Sequence, residues 1–441
     1  MSSKPVSNDK LSDTRPQDDV KAWYLLLLLS LAFILSMLDR TVLSLLVEPI
    51  KAEFDLSDTQ IALLQGASFA FFYAIAGLPL GWLADRSNRR NLIASGVGAW
   101  SLMTIGCSIA SSYAMLFGAR VGVAVGEAAL SPAAYSMLSD RFSKRRLGRA
   151  IGIFTAAGVM GTGLALLIGG ALLGYFTKSN GLHLEGIGHF KPWQATFMAV
   201  GAPGLALAVI IFVTVREPKR LLTQSTVEGV KPSILAYLKA NTGLMVPLLL
   251  GYGVIAMLGY SFLSWGPTSM GRVFDLKPQD VGPKFGLIML VFGSLGPILG
   301  GFLSDFLASK GSRTASFDCM VGAATLGLMF SVSAFFARDL NTTLFIYAGI
   351  ALAFTAILGA VPTTIQIVTP NEYRARVSAI ALICANIIGL GFGPLFVGLL
   401  NDYVFKATDG IALSLPIVMA GSALASLPLL ITARASFKKA S

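Results

Sequence analysis

Four charged side chains lie deep inside long apolar runs of the sequence. Asp39 and Arg40 are adjacent within "AFILSMLDRTVLSLLV", and Arg120 and Glu127 lie seven residues apart in a later run. A charge at the centre of a bilayer is unfavourable by roughly 2.5–3.5 kcal/mol on insertion scales, so such residues usually serve ion pairing, substrate binding or proton transfer. No zinc motif, nucleophile elbow or phosphate loop accompanies them, so we expect no enzyme, no bound metal and no cofactor.

Helical spacing assigns these charges to faces. The first run carries a polar stripe at four-residue intervals, formed by Ser36, Arg40, Ser44 and Glu48. Asp39 lies about 100° to the side of this stripe. At about 1.5 Å per residue, Arg40 and Arg120 lie roughly 12–13 Å from the outer membrane surface, and Glu127 lies roughly 22 Å from it. If the two helices are neighbours, the depths predict two ion pairs, Asp39–Arg120 and Arg40–Glu127.

These charges predict a binding site with a coupling group. We expect substrate to bind at Arg40, Arg120, Glu127 and Ser36, and proton coupling to involve Asp39 and Glu127. Alternatively, the ion pairs only hold helices together. Buried ion pairs are poor stabilisers compared with apolar packing, which favours the functional interpretation.

The elements that position these residues are membrane-spanning helices. The chain has 441 residues, of which 54% are hydrophobic and only 13% charged, and its mean hydropathy is +0.71. Twelve apolar runs are each long enough to cross a bilayer. They cover residues 23–49, 59–83, 91–111, 113–139, 147–176, 193–215, 243–270, 283–308, 315–337, 343–369, 377–405 and 411–433. The sequence therefore predicts an all-α polytopic membrane protein with twelve transmembrane helices.

The net charge of +11 is a topology signal and does not indicate a nucleic-acid partner. With a cytoplasmic N-terminus, the inner segments hold 24 of the 34 Lys and Arg residues, the outer loops hold eight, and two are intramembrane. This asymmetry follows the positive-inside rule and predicts that both termini are cytoplasmic. We expect a multi-pass protein of the plasma membrane, most consistent with a bacterial inner membrane.

The runs divide into two similar halves. We predict a disordered tail at 1–22, a six-helix half at 23–215, a cytoplasmic linker at 216–242, a second half at 243–434 and a tail at 435–441. "GWLADRSNRR" (81–90) is echoed by "GFLSDFLASKGSR" (301–313), which aligns Asp85 with Asp305. A second echo aligns Arg149 with Arg376. Two six-helix repeats around a central cleft are typical of transporters.

"GWLADRSNRR" resembles the loop signature of the major facilitator superfamily. The match covers Gly81, Leu83, Asp85, Arg86, Arg89 and Arg90, and it departs at Asn88, where the family usually has glycine. The resemblance implies a cytoplasmic latch between the halves, with Asp85 facing the start of helix 11 near residues 374–378, and with Asp305, Arg149 and Arg376 in the related loops. The alternative is a basic anchor without a switching role.

The intramembrane charges resemble the Spinster branch of this superfamily. "LDRTVLS" (38–44) and "GARVGVAVGEAALSPAAYSMLSDRF" (118–142) carry the Asp-Arg and Gly-Glu-Ala patterns found there. The resemblance implies an alternating-access transporter of a lipid-like substrate, of the lysophospholipid or sphingosine-1-phosphate type, working as a monomer. Tyr252, Tyr260 and Trp265 of the second half supply an aromatic wall for such a substrate. A transporter of a small organic anion or drug-like compound and a membrane lipid sensor remain alternatives.

Overall fold

The computed structural model describes residues 19–186, 188–218, 220 and 233–440. Most of the predicted N-terminal tail and residues 221–232 of the predicted linker lie outside the described residues. Apart from one short hairpin, the regular structure within the described residues is helical. The all-α polytopic prediction is therefore confirmed.

The first half begins with a broken helix. Its elements are α1 (Val20–Thr41), α2 (Val47–Phe54), α3 (Asp58–Ala62), α4 (Ser68–Arg86), α5 (Arg89–Ser108), α6 (Tyr113–Glu127), α7 (Leu130–Arg141), α8 (Lys144–Lys178), β1 (Leu182–Leu184), β2 (Gly188–Phe190) and α9 (Pro192–Thr214). A 3₁₀ turn at Val42–Leu45 separates α1 from α2, and a π-helical turn at Leu63–Ala67 joins α3 to α4. The predicted first run, 23–49, is thus not one straight helix.

The second half is preceded by a short surface helix, α10 (Ile234–Ala240), within the predicted linker. The remaining helices are α11 (Thr242–Phe274), α12 (Pro278–Ile288), α13 (Ser294–Ser309), α14 (Ala315–Ser333), α15 (Leu340–Val368), α16 (Asn371–Cys384), α17 (Gly393–Leu399) and α18 (Ile411–Ala440). π-Helical turns at Met289–Gly293, Ala385–Phe392 and Leu400–Phe405 link α12 to α13, α16 to α17 and α17 to the following loop.

Each of the twelve predicted runs contains a helix. Eleven segments of the described residues are long and apolar enough to cross a membrane. The twelfth run contains α5, whose 20 residues reach about 30 Å. It is less apolar because it starts with Arg89, Arg90 and Asn91 and carries buried hydroxyl groups further along.

The helical bundle has two faces. We call the side on which α1 begins and α18 ends the terminal face, and the other side the opposite face. Near the opposite face the halves are in direct contact through glycines of α8. A Cβ atom at Gly163 would lie 2.6 Å from the main-chain nitrogen of Leu290, and one at Gly170 would lie 3.0 Å from Cα of Gly282. These glycines therefore allow close helix packing between the halves.

Toward the terminal face the packing is open. A Cβ atom at several glycines of this region would meet nothing within 4 Å: Gly77, Gly81, Gly148, Gly152 and Gly301. Asp85 at the end of α4 is exposed and makes no ion pair or hydrogen bond with the described residues. The direct helix contacts between the halves given above therefore lie toward the opposite face, and Asp85 makes none at the terminal face.

Candidate functional site in the centre of the bundle

Arg40, Glu127 and Ser36 form the centre of the site. Arg40 Nη2 donates to Glu127 Oε2 at 2.6 Å, and Ser36 Oγ donates to the same oxygen at 2.7 Å. The Arg40 side chain keeps 19% of its surface exposed, whereas the Glu127 side chain keeps 1%. The predicted Arg40–Glu127 pair is thus present, with the arginine on the accessible side.

The local sequence explains why Glu127 lies at a break in its helix. Pro132 has no N–H group, and its ring conflicts with a helical carbonyl at Ala128, four residues earlier. The chain accordingly leaves α6 at Glu127 and resumes as α7 at Leu130. Gly126 allows α5 to approach this break, since a Cβ atom there would lie 2.8 Å from the main-chain nitrogen of Trp100.

Two aromatic rings of α4 hold the Arg40 guanidinium. Its Cζ atom lies 4.1 Å from the ring centroid of Phe69 and 5.5 Å from that of Tyr73, and the two rings stack at 5.7 Å. Cation–π contacts of this kind stabilise a partly desolvated arginine by about 0.5–2 kcal/mol. Neither ring was predicted from the sequence, although their four-residue spacing on a helix of the same half was a usable signal.

A second charged layer lies behind this group. Asp39 and Arg120 are 1% and 0% exposed, and the Asp39 carboxyl faces Trp100 and Thr104 of α5. Arg120 Nη1 donates to the main-chain oxygen of Asp39 at 3.0 Å, so the predicted carboxylate–guanidinium pair is not formed. Asp39 Oδ1 and Arg120 Nε and Nη2 have no hydrogen-bond partner among the described residues. Because Arg120 is fully buried, it does not present a surface to substrate in this conformation.

Of the three aromatic residues of the second half that were predicted to bind substrate, only Tyr260 keeps an accessible side chain in this conformation. Tyr260 is partly exposed, with its ring 6.1 Å from that of Phe354. Tyr252 is 6% exposed, and Trp265 is fully buried with Nε1 donating to the Pro394 main-chain oxygen at 3.0 Å. In this conformation the latter two pack within the protein because α11 is buried on most sides, so they do not form the predicted wall.

An ion network closes the opposite face. Arg272 of α11 donates through Nη1 and Nη2 to the two Asp58 carboxylate oxygens at 2.6 and 2.8 Å, and through Nε to Glu48 at 2.8 Å. Lys51 Nζ also contacts Asp58 at 2.5 Å. Asp58 and the Arg272 side chain are both 4% exposed or less, so this is a buried contact between the halves.

The start of α3 is held by the second half in addition. The Asp402 carboxylate accepts the main-chain N–H groups of Asp58 and Thr59 at 3.1 and 2.7 Å, and Asn401 Nδ2 donates to Asp58 Oδ2 at 3.0 Å. A carboxylate at a helix N-terminus is favourable by roughly 0.3–1 kcal/mol. This network was not predicted, because charges at the ends of membrane spans are common and their sequence positions do not indicate which of them pair.

Most residues of the predicted latch are exposed, and Asp85 does not contact the start of α16 as predicted. Arg86, Arg149 and Asp305 are exposed, and Arg86 lies over the Trp82 ring at 4.3 Å. Arg376 is half-buried. Asp85 makes no described contact with the start of α16, which agrees with an open terminal face. Asn88, which takes the place of the family's usual glycine, has extended backbone angles (φ −71°, ψ 110°), and its side chain caps α5 by accepting the Asn91 N–H at 2.9 Å.

Arg89 has a different position from the other latch residues. It is fully buried, and its guanidinium donates to Glu217 at 2.7 Å, to Ser136 at 2.8 Å, to the Pro218 main-chain oxygen at 2.9 Å and to Asp140. These contacts tie the α4–α5 turn to the ends of α7 and α9. Asp140 and Glu217 were not predicted, although each is an acidic residue within two positions of the end of an apolar run.

The sequence comparisons agree with this architecture. The profile of the Major Facilitator Superfamily matches residues 29–394. The chain belongs to the major facilitator superfamily. Its fold and family are those of transporters rather than enzymes.

Relatives within the superfamily have several described activities. The chain is 29% identical over 87% of its length to an MFS-type efflux pump of Mycolicibacterium smegmatis, and it covers 85% of that protein. It is 25% identical over 84% of its length to human protein spinster homolog 1, covering 71% of it. It is also 25% identical over 65% of its length to a probable L-galactonate transporter of Escherichia coli, covering 62% of it.

Two solved structures of a bacterial homologue of the human lysosomal transporter Spinster superpose well. The inward-facing unoccupied form has a TM-score of 0.79, with 28% identity, over 96% of this chain and 98% of that one. The inward-facing occupied form has a TM-score of 0.78 at the same identity, over 96% and 97% of the two chains. The chain is thus a Spinster-like transporter of the major facilitator superfamily.

Proposed function

We propose that the protein moves an amphipathic, lipid-like substrate of the lysolipid or sphingosine phosphate type by alternating access. The observation that carries this proposal is the partly exposed Arg40, which lies against Phe69 and Tyr73 in the middle of the bundle. An arginine binds a phosphate or carboxylate head group, and aromatic and aliphatic neighbours bind an acyl chain. The resemblance of the intramembrane charges to the Spinster branch implies the same substrate class.

Proton coupling follows from the competition for Arg40. In this conformation Glu127 occupies the guanidinium, which an anionic head group would need. Protonation of Glu127 removes its charge and frees Arg40 for the substrate, whereas substrate release allows the ion pair to re-form. Asp39, buried beside it without a partner for Oδ1, is a second group for proton binding. This is the coupling logic that we propose.

The charge distribution supports an orientation. The terminal face carries the basic loops, so we propose that it is cytoplasmic, that both termini are inside and that the structure is inward-open. The domain limits predicted from the sequence, 23–215 and 243–434, are proposed as the two moving halves around the site. We propose a monomer as the working unit, in the plasma membrane of a bacterium.

The proposal is tested by binding of a lysophosphatidylcholine and sphingosine-1-phosphate panel to purified protein. Losing the hydrogen bond to a charged group corresponds to roughly 10- to 100-fold weaker binding, which we expect for Arg40→Ala. Arg338→Ala, at an exposed loop arginine of the opposite face, is the matched control. Equal affinity of wild type and Arg40→Ala for every lipid would exclude Arg40 as the head-group ligand.

A small organic anion is the second candidate. It is favoured by the similarity to a protein described as a probable L-galactonate transporter and by the carboxylate-binding geometry of an arginine. Proteoliposome uptake of L-galactonate without uptake of any lysolipid would favour this candidate over the first.

A further inference from the structure

An apolar groove lies on the exposed side of α4, α5 and α9, away from the central site. Its volume is about 600 Å³, within the range of roughly 300–1,000 Å³ typical of ligand pockets. Its apolar walls are formed by Leu83, Leu92, Ala94, Ala208, Val209 and Phe212. Val209 and Phe212 are 63% and 53% exposed, so the groove is open to the surrounding bilayer.

The groove has a polar end at the terminal face. Ser87, Asn88 and Asn91, around the α4–α5 turn, form this end, and Ser95 lies about one helical turn further into α5. Four residues of helix correspond to about 6 Å, so the groove runs from the membrane surface toward the acyl chains. This change from polar to apolar matches the head group and first carbons of a membrane lipid.

Two arginines flank the polar end. The Arg90 Cζ atom lies 5.0 Å from the ring centroid of Phe212, a wall residue of the groove. Arg220 Nη2 donates to the main-chain oxygens of Ser87 and Ala84 at 2.6 and 2.7 Å. Neither guanidinium contacts a carboxylate among the described residues. The Arg90 guanidinium donates to Asn91 Oδ1 and to the Val215 main-chain oxygen. The Glu217 carboxylate accepts the main-chain N–H of Arg90 and does not contact its guanidinium.

We propose that this groove binds one anionic phospholipid of the leaflet at the terminal face. Its phosphate lies between Arg90 and Arg220, and an acyl chain lies along Val209 and Phe212. Charge complementarity selects the occupant, because two guanidinium groups without a carboxylate partner attract anionic lipid by about 1 kcal/mol each. A zwitterionic lipid carries its own cation next to the phosphate and gains less. The site is independent of the transported substrate.

A bulky substitution inside the groove tests whether an acyl chain lies along its apolar wall. We would purify the protein with dioleoyl-phosphatidylglycerol and count retained lipids by native mass spectrometry. Val209→Trp places a large ring in the groove, and we expect one retained lipid fewer than in wild type. Val213→Trp is the matched control: Val213 is 73% exposed on the same helix and does not line the groove. It should retain the wild-type number, and equal numbers in Val209→Trp and wild type would overturn the proposal.

The preference for an anionic over a zwitterionic head group tests whether Arg90 and Arg220 bind the lipid phosphate. We expect Arg220→Gln to weaken binding of dioleoyl-phosphatidylglycerol about fivefold and to leave dioleoyl-phosphatidylcholine binding unchanged. Arg338→Gln at the opposite face should change neither. Equal retention of the two lipids by wild type would overturn the assignment of an anionic ligand. Melting temperatures of all variants identify any that fail to fold, and in that case the preference of the wild-type protein between the two lipids still decides the proposal.

Discussion

The Arg272 guanidinium of the second half binds the Asp58 carboxylate of the first half through two parallel hydrogen bonds of 2.6 and 2.8 Å. Both side chains are almost fully buried, and Lys51 and Asn401 complete the coordination of the carboxylate. Opening of the opposite face has to separate these groups. The pair is therefore the main electrostatic barrier to that movement within the described residues.

Asp58→Asn is expected to shift the protein toward a state open at the opposite face. The change leaves Arg272 and Lys51 without their shared carboxylate, and breaking a buried pair in this way usually costs about 3–5 kcal/mol. The measurement is maleimide labelling of a cysteine placed at Thr268, which is 5% exposed at the closed face, in a background with the three free cysteines replaced by alanine. Labelling should accelerate in Asp58→Asn.

The control for this experiment is another carboxylate of the same region. Glu53 binds Lys191 at 2.6 Å, but both residues belong to the first half and are partly exposed. An exposed pair contributes about 0–1 kcal/mol, so Glu53→Gln should leave the labelling rate unchanged. Equal rates in Asp58→Asn and Glu53→Gln would contradict the role of Asp58 as a gate.

Arg89→Ala is expected to lower the stability of the first half strongly. Arg89 is fully buried and binds Glu217, Asp140 and two further acceptors, so its loss removes at least two charge-assisted hydrogen bonds, each of which contributes about 1.5–3 kcal/mol. Arg86→Ala, three residues earlier and exposed, should stay within about 0.5 kcal/mol of wild type. Thermal unfolding in detergent distinguishes the two. Similar melting temperatures for both variants would show that the Arg89 contacts contribute little.

Part of the site could be predicted because it follows from helical periodicity. Spacing and depth placed Arg40 beside Glu127, and the structure has that pair. The predicted ion pair between Asp39 and Arg120 was wrong. Periodicity indicates only the approximate direction of a side chain, and it does not say whether a carboxylate or a main-chain oxygen accepts the hydrogen bond, as the Asp39 main-chain oxygen does here.

The opposite-face network could not be predicted for a different reason. Asp58 and Arg272 are 214 residues apart, and their pairing depends on how two halves dock, which leaves no local pattern in the chain. Trp265 illustrates the reverse error: an aromatic residue on a cavity-side helix has the same sequence signal whether it lines the cavity or, as here, packs against Pro394.

Asp85→Asn is expected to slow transport without changing the stability of this conformation. Asp85 is exposed and makes no described contact here, so the free energy of unfolding should stay within about 0.5 kcal/mol of wild type. We propose that the predicted latch between Asp85 and the start of α16 forms when the terminal face closes, so its loss should reduce the rate of uptake. Glu185→Gln, at an exposed residue of the β1–β2 hairpin at the opposite face, is the control for charge removal. A wild-type uptake rate in Asp85→Asn would leave the loop as an anchor only.

Asp39→Asn and Arg40→Ala are expected to fail in different ways although the residues are adjacent. Arg40 is partly exposed and bound to Glu127, whereas Asp39 is buried and faces α5, so only Arg40 can contact a substrate directly. Arg40→Ala should therefore lose substrate binding. Asp39→Asn, like Glu127→Gln, should keep binding but make proteoliposome uptake insensitive to an imposed pH gradient. If Asp39→Asn and Glu127→Gln both respond to the gradient as wild type does, neither carboxylate couples protons to transport, and the four charges serve binding and helix packing alone.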